Sequence, residues 1–438
     1  MIRVLMVGYN GANNTGAEAL LLSDIEDVRA ALGPEAHITV PTLNEANLRR
    51  YLAEGPGLRI APMPTLFFGA IRRMVKDSDL VLLVEGSTYM DTWGSALLWA
   101  FLWATTCAAN MRKPSLAYAV DAGALSPANR RRVRGIASRT GLIVTRNRAA
   151  AERLRGMGVT APMACTADNA FTFQPRETDK GWHLRAWPQA RSGVVGLAMV
   201  DFSLFPAVMR PWGSRERCYK WPYYFSASPV RSQIRETLAR GYAALADHVA
   251  ESTGKAVALI CMEQLDEALA RQVHLDMKHP ESARQFSARQ YDASQMTVLL
   301  RGLDLLVTSR FHASVLSLAA AVPQVAVGHD TRLSTIYQDL GLRERWFVDA
   351  GVTEALADGT PVPEFLEGLQ ERVDLLLSNP GLQQDSLRSG YAAHLARARE
   401  NRQLLADFVT RNLQGDGSGR DDAPGSSAAS GGGAEWVA

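Results

Sequence analysis

The hydrophobic positions fall mostly into short unbroken runs. Residues 3–7 (RVLMV), 80–84 (LVLLV), 142–145 (LIVT), 256–262 (AVALICM) and 304–308 (DLLVT) are brief, apolar and partly β-branched. Such runs predict strands buried on both faces of a parallel sheet. Residues 37–40, 116–120, 194–199 and 325–328 read the same way. Helical patterns stand between them, as at 17–32, which ends in Gly33-Pro34, and at 232–252, which is amphipathic. Alternating strands and helices predict doubly wound parallel sheets, an α/β fold. The pattern lapses between residues 174 and about 189, where charges, prolines and tryptophans gather. That stretch is expected to link two domains, residues 1–175 and 190–380. A charged helical segment follows at 385–413. The Gly, Ser, Ala and Asp tail, 415–438, has nothing to bury and is expected to be disordered.

Ligands of open α/β sheets lie outside the carboxyl ends of the strands. Several strand ends carry polar groups and glycines. After the first strand comes Gly8-Tyr9-Asn10-Gly11-Ala12-Asn13-Asn14-Thr15-Gly16, then a helix. This is the outline of a phosphate cradle, but it is neither GxGxxG nor GxxxxGK[ST], and a plain turn fits as well. Other strand ends carry Glu85-Gly86-Ser87-Thr88, Arg146-Asn147 and Glu263-Gln264-Leu265-Asp266.

The most informative stretch is 304–332, with Ser309-Arg310-Phe311-His312 between a central strand and a helix apolar on every face. An arginine and a histidine at a strand end, where a helix begins, suggest an anionic ligand and a proton to move. The blander reading ends the strand at Arg310 in solvent and buries His312 as a core residue. Two geometries are open. If 310–312 is extended, both side chains share a face; if helical, they diverge by about 200°.

Composition narrows the classes. Of 438 residues, 47% are hydrophobic and 21% charged, with a net charge of +2. This is a globular profile with no electrostatic case for nucleic acid. The four cysteines form no pair or zinc spacing, and no metal is expected. The N-terminus has no long apolar region of a signal peptide, so a cytoplasmic location is expected. The longest uncharged run is 93–111, and its strongly apolar part, 96–104, is too short to span a bilayer. Trp99 and Trp103 would share a helix face, in a core helix or, alternatively, one touching the inner face of a membrane. Arg130-Arg131-Arg132-Val133-Arg134 reads as a solvated helix face, or as a contact for a phosphorylated substrate or acidic lipid head group. Residues 201–229 are rich in aromatics and proline, suiting either a sugar-stacking wall or a packed loop.

Four segments resemble the polysaccharide pyruvyl transferase family. Asn14-Thr15-Gly16-Ala17-Glu18-Ala19 is similar to its NxGDEA, with Ala17 in place of aspartate. Glu85-Gly86-Ser87-Thr88-Tyr89-Met90-Asp91 is similar to GGxxxxD, with Glu85 in place of one glycine. Arg146, Leu154 and Gly158 match RDxxSxxxLxxxG, with Asn147 and Ala150 departing. Ser309-Arg310-Phe311-His312-Ala313, Ala321-Val322-Pro323 and Asp330 look like SxRxHA…GVP…YD. The resemblance implies two Rossmann-like domains facing a cleft, as in GT-B glycosyltransferases, with the C-terminal helix packed back on the first domain.

The resemblance also implies transfer of the pyruvyl group of phosphoenolpyruvate to two hydroxyls of a sugar, as a ketal, with no further cofactor. Arg310 is expected to grip the anion and His312 to protonate the enol carbon. Arg146 would close on the anion from the first domain. Asn14, Gly16, Glu18, Gly86, Ser87, Asp266 and Asp330 are expected to contact substrate. The acceptor would be a glycan or a lipid- or nucleotide-linked sugar, and a homo-oligomer stays open. The alternatives are a glycosyltransferase using a sugar nucleotide, for which no DxD pair is evident, and a degenerate glycan-binding partner.

Overall fold

The computed structural model describes residues 1–92, 94–201, 207–214, 217–226, 228–328, 331–349 and 363–414. Asp330 and the expected disordered tail, 415–438, lie outside the described residues. Two parallel sheets form the framework. The first contains β1 (Arg3–Val7), β2 (His37–Thr42), β3 (Leu58–Pro62), β4 (Leu80–Leu83), β5 (Ser115–Val120), β6 (Leu142–Thr145) and β7 (Met163–Cys165), in the order β3-β2-β1-β4-β5-β6-β7. The second contains β8 (Val194–Ala198), β12 (Ala256–Cys261), β13 (Ala283–Ser287), β14 (Leu305–Thr308), β15 (Gln324–Gly328) and β16 (Phe347–Asp349), in the order β13-β12-β8-β14-β15-β16. Every neighbouring pair in both sheets is parallel. The two-domain α/β reading is therefore correct.

The apolar runs explain the layers. Leu5, Val7, Val81 and Leu83 enter one helix-covered core, while Val4, Met6, Leu80 and Leu82 enter the opposite one. Alternate side chains of a strand covered on both faces must both be apolar. The chain direction across each sheet reverses between β1 and β4 and between β8 and β14. These are topological switch points, and their carboxyl ends open crevices. Residues 8–16 and 85–88 leave one crevice, and residues 309–312 leave the other.

The stretch expected to link the domains, 174–190, is itself packed. It forms two 3₁₀ turns around the helix Trp182–Ala186, with Trp182 and Trp187 buried against Phe286. Aromatic burial outweighs the local charge and proline content. The aromatic stretch after residue 201 folds as a small antiparallel sheet of β9 (Ala207–Met209), β10 (Cys218–Lys220) and β11 (Tyr223–Phe225). The helix Gln384–Val409 spans both domains. Its Leu387 and Ala398 join the second-domain core, and Leu404, Leu405, Phe408 and Val409 join the first-domain core.

Candidate active site in the interdomain cleft

The two switch points face each other and are stitched together at one end. Thr15 N donates to Met262 O at 2.9 Å, Gln264 N to Asn13 O at 3.1 Å, and Asn13 Nδ2 to Gln264 Oε1 at 2.9 Å. Asn13 takes a left-handed backbone, φ 51°, which asparagine tolerates. Asn14 caps the helix Thr15–Leu32, accepting from Ala17 N at 3.0 Å. Beside this seam lies a cleft whose polar floor includes Asn14, Gly16, Glu85, Ser87, Glu263, Arg310 and His312.

The structure resolves the geometry of the central stretch. Arg310 is extended (φ −104°, ψ 119°), and the helix Phe311–Ser317 starts at the next residue. The two side chains therefore part company. Arg310 turns to the second domain's own strand end. Its Nε and Nη2 take both oxygens of Asp266, with Nε at 3.0 Å from Oδ2, and its Nη1 donates to Glu263 Oε2 at 3.1 Å. This fork-to-fork pairing fixes the guanidinium plane. Burial pushes the Asp266 carboxyl up to about 6, against the pull of Arg310. Arg310 still lines the cleft. Its anion-gripping edges, however, are occupied by carboxylates of its own chain.

His312 turns the other way, into the first domain. Its Nε2 lies 3.7 Å from Asp168 Oδ2, buried and without a hydrogen-bond partner at that distance. Its Nδ1 faces Gly16, where a Cβ would run into the ring. Asp168 is itself held by Arg146, whose Nη1 donates to Oδ2 at 2.7 Å while its Nε donates to Asp121 at 2.9 Å. Burial alone would raise Asp168. The guanidinium and the imidazole overcome that and hold the carboxyl below its usual range. The Phe311 ring lies 4.7 Å from the Arg146 guanidinium carbon and stands edge-on to His312 at 5.1 Å. The result is a layered relay: Asp121, Arg146, Asp168, then His312 at the cleft.

The other expected site residues fall into two groups. Asn14, Gly16 and Ser87 reach the cleft, and Ser87 Oγ donates to Glu85 at 2.8 Å. Arg146, Gly86, Glu18 and Asp266 stand behind it. The Arg146 side chain is 1% exposed and is spent on two carboxylates, so it offers an anion no free edge. Gly86 leaves room for Arg146 Nη1. Glu18 accepts from Arg50 at 2.8 Å and from the backbone N of Ala293 at 3.0 Å, so it binds the second domain. The sequence reading missed Asp168, and it gave no role to Asp121 and Glu263, which it saw only as strand-end residues. The clue to Asp168 was its place just past β7, but that strand has three residues and too short an apolar run to notice.

Comparisons with known proteins agree with this architecture. The chain is 23% identical over 347 residues to the amylovoran biosynthesis protein AmsJ of Erwinia amylovora, covering 77% of this chain and 73% of that one. In three dimensions it resembles Anabaena Alr3699/HepE, solved with UDP-glucose, at TM-score 0.56 and 12% identity, over 94% of this chain and 100% of that one. It also resembles the UDP-GlcNAc 2-epimerase of Methanocaldococcus jannaschii, at TM-score 0.55 and 11% identity, over 92% and 99%. At such identities the structural likeness speaks for the GT-B type of fold. The sequence model of one family matches residues 14–331, which hold most of the cleft stretches, the Arg146–Asp168 pair and His312, and by that match the chain belongs to the polysaccharide pyruvyl transferase family.

Proposed function

We propose that the protein moves the pyruvyl group of phosphoenolpyruvate onto two hydroxyls of one sugar in a glycan or a lipid- or nucleotide-linked precursor. The observation that supports this most is His312 at the cleft, seated on a buried carboxylate, in a chain of this family. The first step puts a proton on the methylene carbon, which becomes the methyl group. His312, seated against Asp168, is the group placed to supply it. The cationic character left on C2 is met by one sugar hydroxyl, and a C–O bond forms. The bond between C2 and the phosphate oxygen breaks, phosphate leaves, and the second hydroxyl closes the ketal. Of the two hydroxyl protons, one balances that given to carbon and the other leaves with phosphate. Glu85 and Glu263 are carboxylates on the cleft wall able to accept them.

In this reading Arg310 meets the donor by exchange. Glu263 holds it through one bond, and a donor carboxylate or phosphate takes that edge, while the two-bond grip of Asp266 keeps the guanidinium aimed. The test is phosphoenolpyruvate-dependent phosphate release with a panel of sugar acceptors, with product mass read in parallel. His312→Gln should still bind phosphoenolpyruvate, as thermal shift reports, while turnover falls by about 10²–10⁴. Near-normal turnover in that variant would remove His312 from the chemistry. Transfer from a sugar nucleotide, with none from phosphoenolpyruvate, would overturn the reaction class.

A further inference from the structure

Six exposed large hydrophobic side chains gather on one edge of the molecule. Leu66 is 71% exposed, Trp221 61% and Trp212 74%, and Phe68, Trp99 and Met209 are exposed with them. The edge is continuous. Thr65 Oγ1 donates to Trp221 O at 3.1 Å, and Tyr223 Oη to Thr65 O at 3.3 Å, so the small sheet β9–β11 abuts the segment carrying Leu66. Phe68 packs edge-on against Trp103 at 5.7 Å. Three indole N–H groups on this edge are satisfied internally: Trp99 donates to Asn129 at 2.9 Å, Trp103 to Phe68 O at 2.8 Å and Trp221 to Pro211 O at 3.2 Å. What these rings show to the outside is therefore apolar carbon. Singly exposed hydrophobic residues need no explanation, but a contiguous group does.

The surroundings of this edge are basic. The Arg132 guanidinium lies 5.6 Å from the Trp99 ring centre, and Arg72, one helical turn after Phe68, is exposed. Arg131, Arg134 and Arg139 are exposed nearby in sequence, and Arg139 reaches Asn110 at the end of the tryptophan helix Ser95–Asn110. Between residues 95 and 139 the only acidic residue is Asp121, which is buried under Arg146. A protein partner would have to bring both a large apolar face and matching acids. A bilayer with anionic head groups brings both at once: tryptophans prefer the head-group level, and arginines prefer its charge. Among the described residues no helix is long and apolar enough to cross a membrane, so the contact would be peripheral. The elements of this edge also form the cleft's apolar end. Phe67 precedes exposed Phe68 and lines the cleft, and Leu97 and Phe101 line it from the helix that carries Trp99.

We infer that this edge docks on an anionic lipid bilayer, with the aromatic side chains at head-group depth, the arginines on the lipid charge, and the apolar end of the cleft at the lipid surface. The inference does not depend on the donor chemistry proposed above. The test is co-sedimentation of the full chain with phosphatidylcholine vesicles and with vesicles in which phosphatidylglycerol replaces part of the phosphatidylcholine. The expected result is binding to the anionic vesicles only, weakened by added salt. Arg72→Glu with Arg132→Glu should lower the partition coefficient by at least about 25-fold, each lost arginine counting for about fivefold. Trp212→Ala with Trp221→Ala should weaken binding with little change in melting temperature, because these side chains are 74% and 61% exposed. Wild-type protein left in the supernatant, or bound equally to neutral vesicles regardless of salt, would overturn the inference without any variant. So would a wild-type dimer that the tryptophan variant converts to monomer, since the face would then belong to a second copy.

Discussion

Asp168 is pulled on from two sides, by the Arg146 guanidinium at 2.7 Å and by His312 at 3.7 Å. Removing its charge therefore has two consequences that can be separated. Asp168→Asn leaves Arg146 with Asp121 alone. Breaking a buried pair of this kind costs about 3–5 kcal/mol, so the melting temperature should drop clearly. Asp121→Asn damages the same guanidinium from its other side and should cost a similar amount. Only Asp168→Asn also takes the carboxylate from beneath His312, so only it should lower kcat at saturating phosphoenolpyruvate beyond what the shared loss of stability explains. Equal kcat in the two variants would reduce Asp168 to a structural partner of Arg146. The pH dependence of wild-type stability has a fixed sign here. The Asp168 carboxyl is held below its usual range, so its contribution is present above the ordinary carboxylate range and is lost as pH falls through the lowered folded value.

At the scale of elements, the site depends on how closely two helix starts approach. The first turn of Thr15–Leu32 carries Gly16, which faces the ring on the first turn of Phe311–Ser317. Gly16→Ala should fold, because residue 16 is helical and alanine suits helices. The new methyl must nevertheless push His312 off its seat on Asp168. Overpacking of this sort costs about 1–3 kcal/mol, and turnover should fall more than melting temperature does. Turnover equal to wild type would mean that the ring has room and that its position is not critical.

How much of this the sequence discloses depends on element length and on sequence distance. The strands at the switch points, β1, β4, β8 and β14, sit in apolar runs long enough to read. The three-residue strands β7, β9, β10, β11 and β16 are held by their neighbours and leave little pattern of their own. Arg310 and His312 stood out because a strand end is where ligands go. Their pairings did not. Asp266 and Glu263 lie 44 and 47 residues from Arg310, and the sequence shows a charge without showing which other charge already holds it. The same gap explains Arg146, whose strand-end position was legible while its burial under Phe311 was not.

The whole molecule is two domains joined at the seam of residues 13–15 with 262–264, by the crossing helix Gln384–Val409, and by Glu18. Glu18 is a buried carboxyl on the first domain that caps the start of the second domain's helix Ala293–Arg301 through the Ala293 N–H. Burial pushes it up to about 8, and Arg50 at 2.8 Å pulls back by less. The folded value lies above the ordinary carboxylate value near 4.5. The folded protein therefore keeps a proton that the unfolded chain releases. Where the folded state binds more protons, stability falls as pH rises, here across the window from about 4.5 to about 8. Below that window both states are protonated, above it both are ionised, and the slope vanishes. Glu18→Gln keeps a carbonyl to accept from Ala293 and removes the titration. Its melting temperature should stay flatter between pH 5 and 8, while wild type declines, so the two curves should converge toward the acid end and separate toward the alkaline end. Because Glu18 joins the domains without reaching the cleft floor, the variant should keep its affinity for phosphoenolpyruvate at acid pH. Parallel melting curves across the whole window would show that Glu18 does not titrate there. A loss of phosphoenolpyruvate affinity at constant melting temperature would move Glu18 from the domain seam into the binding site.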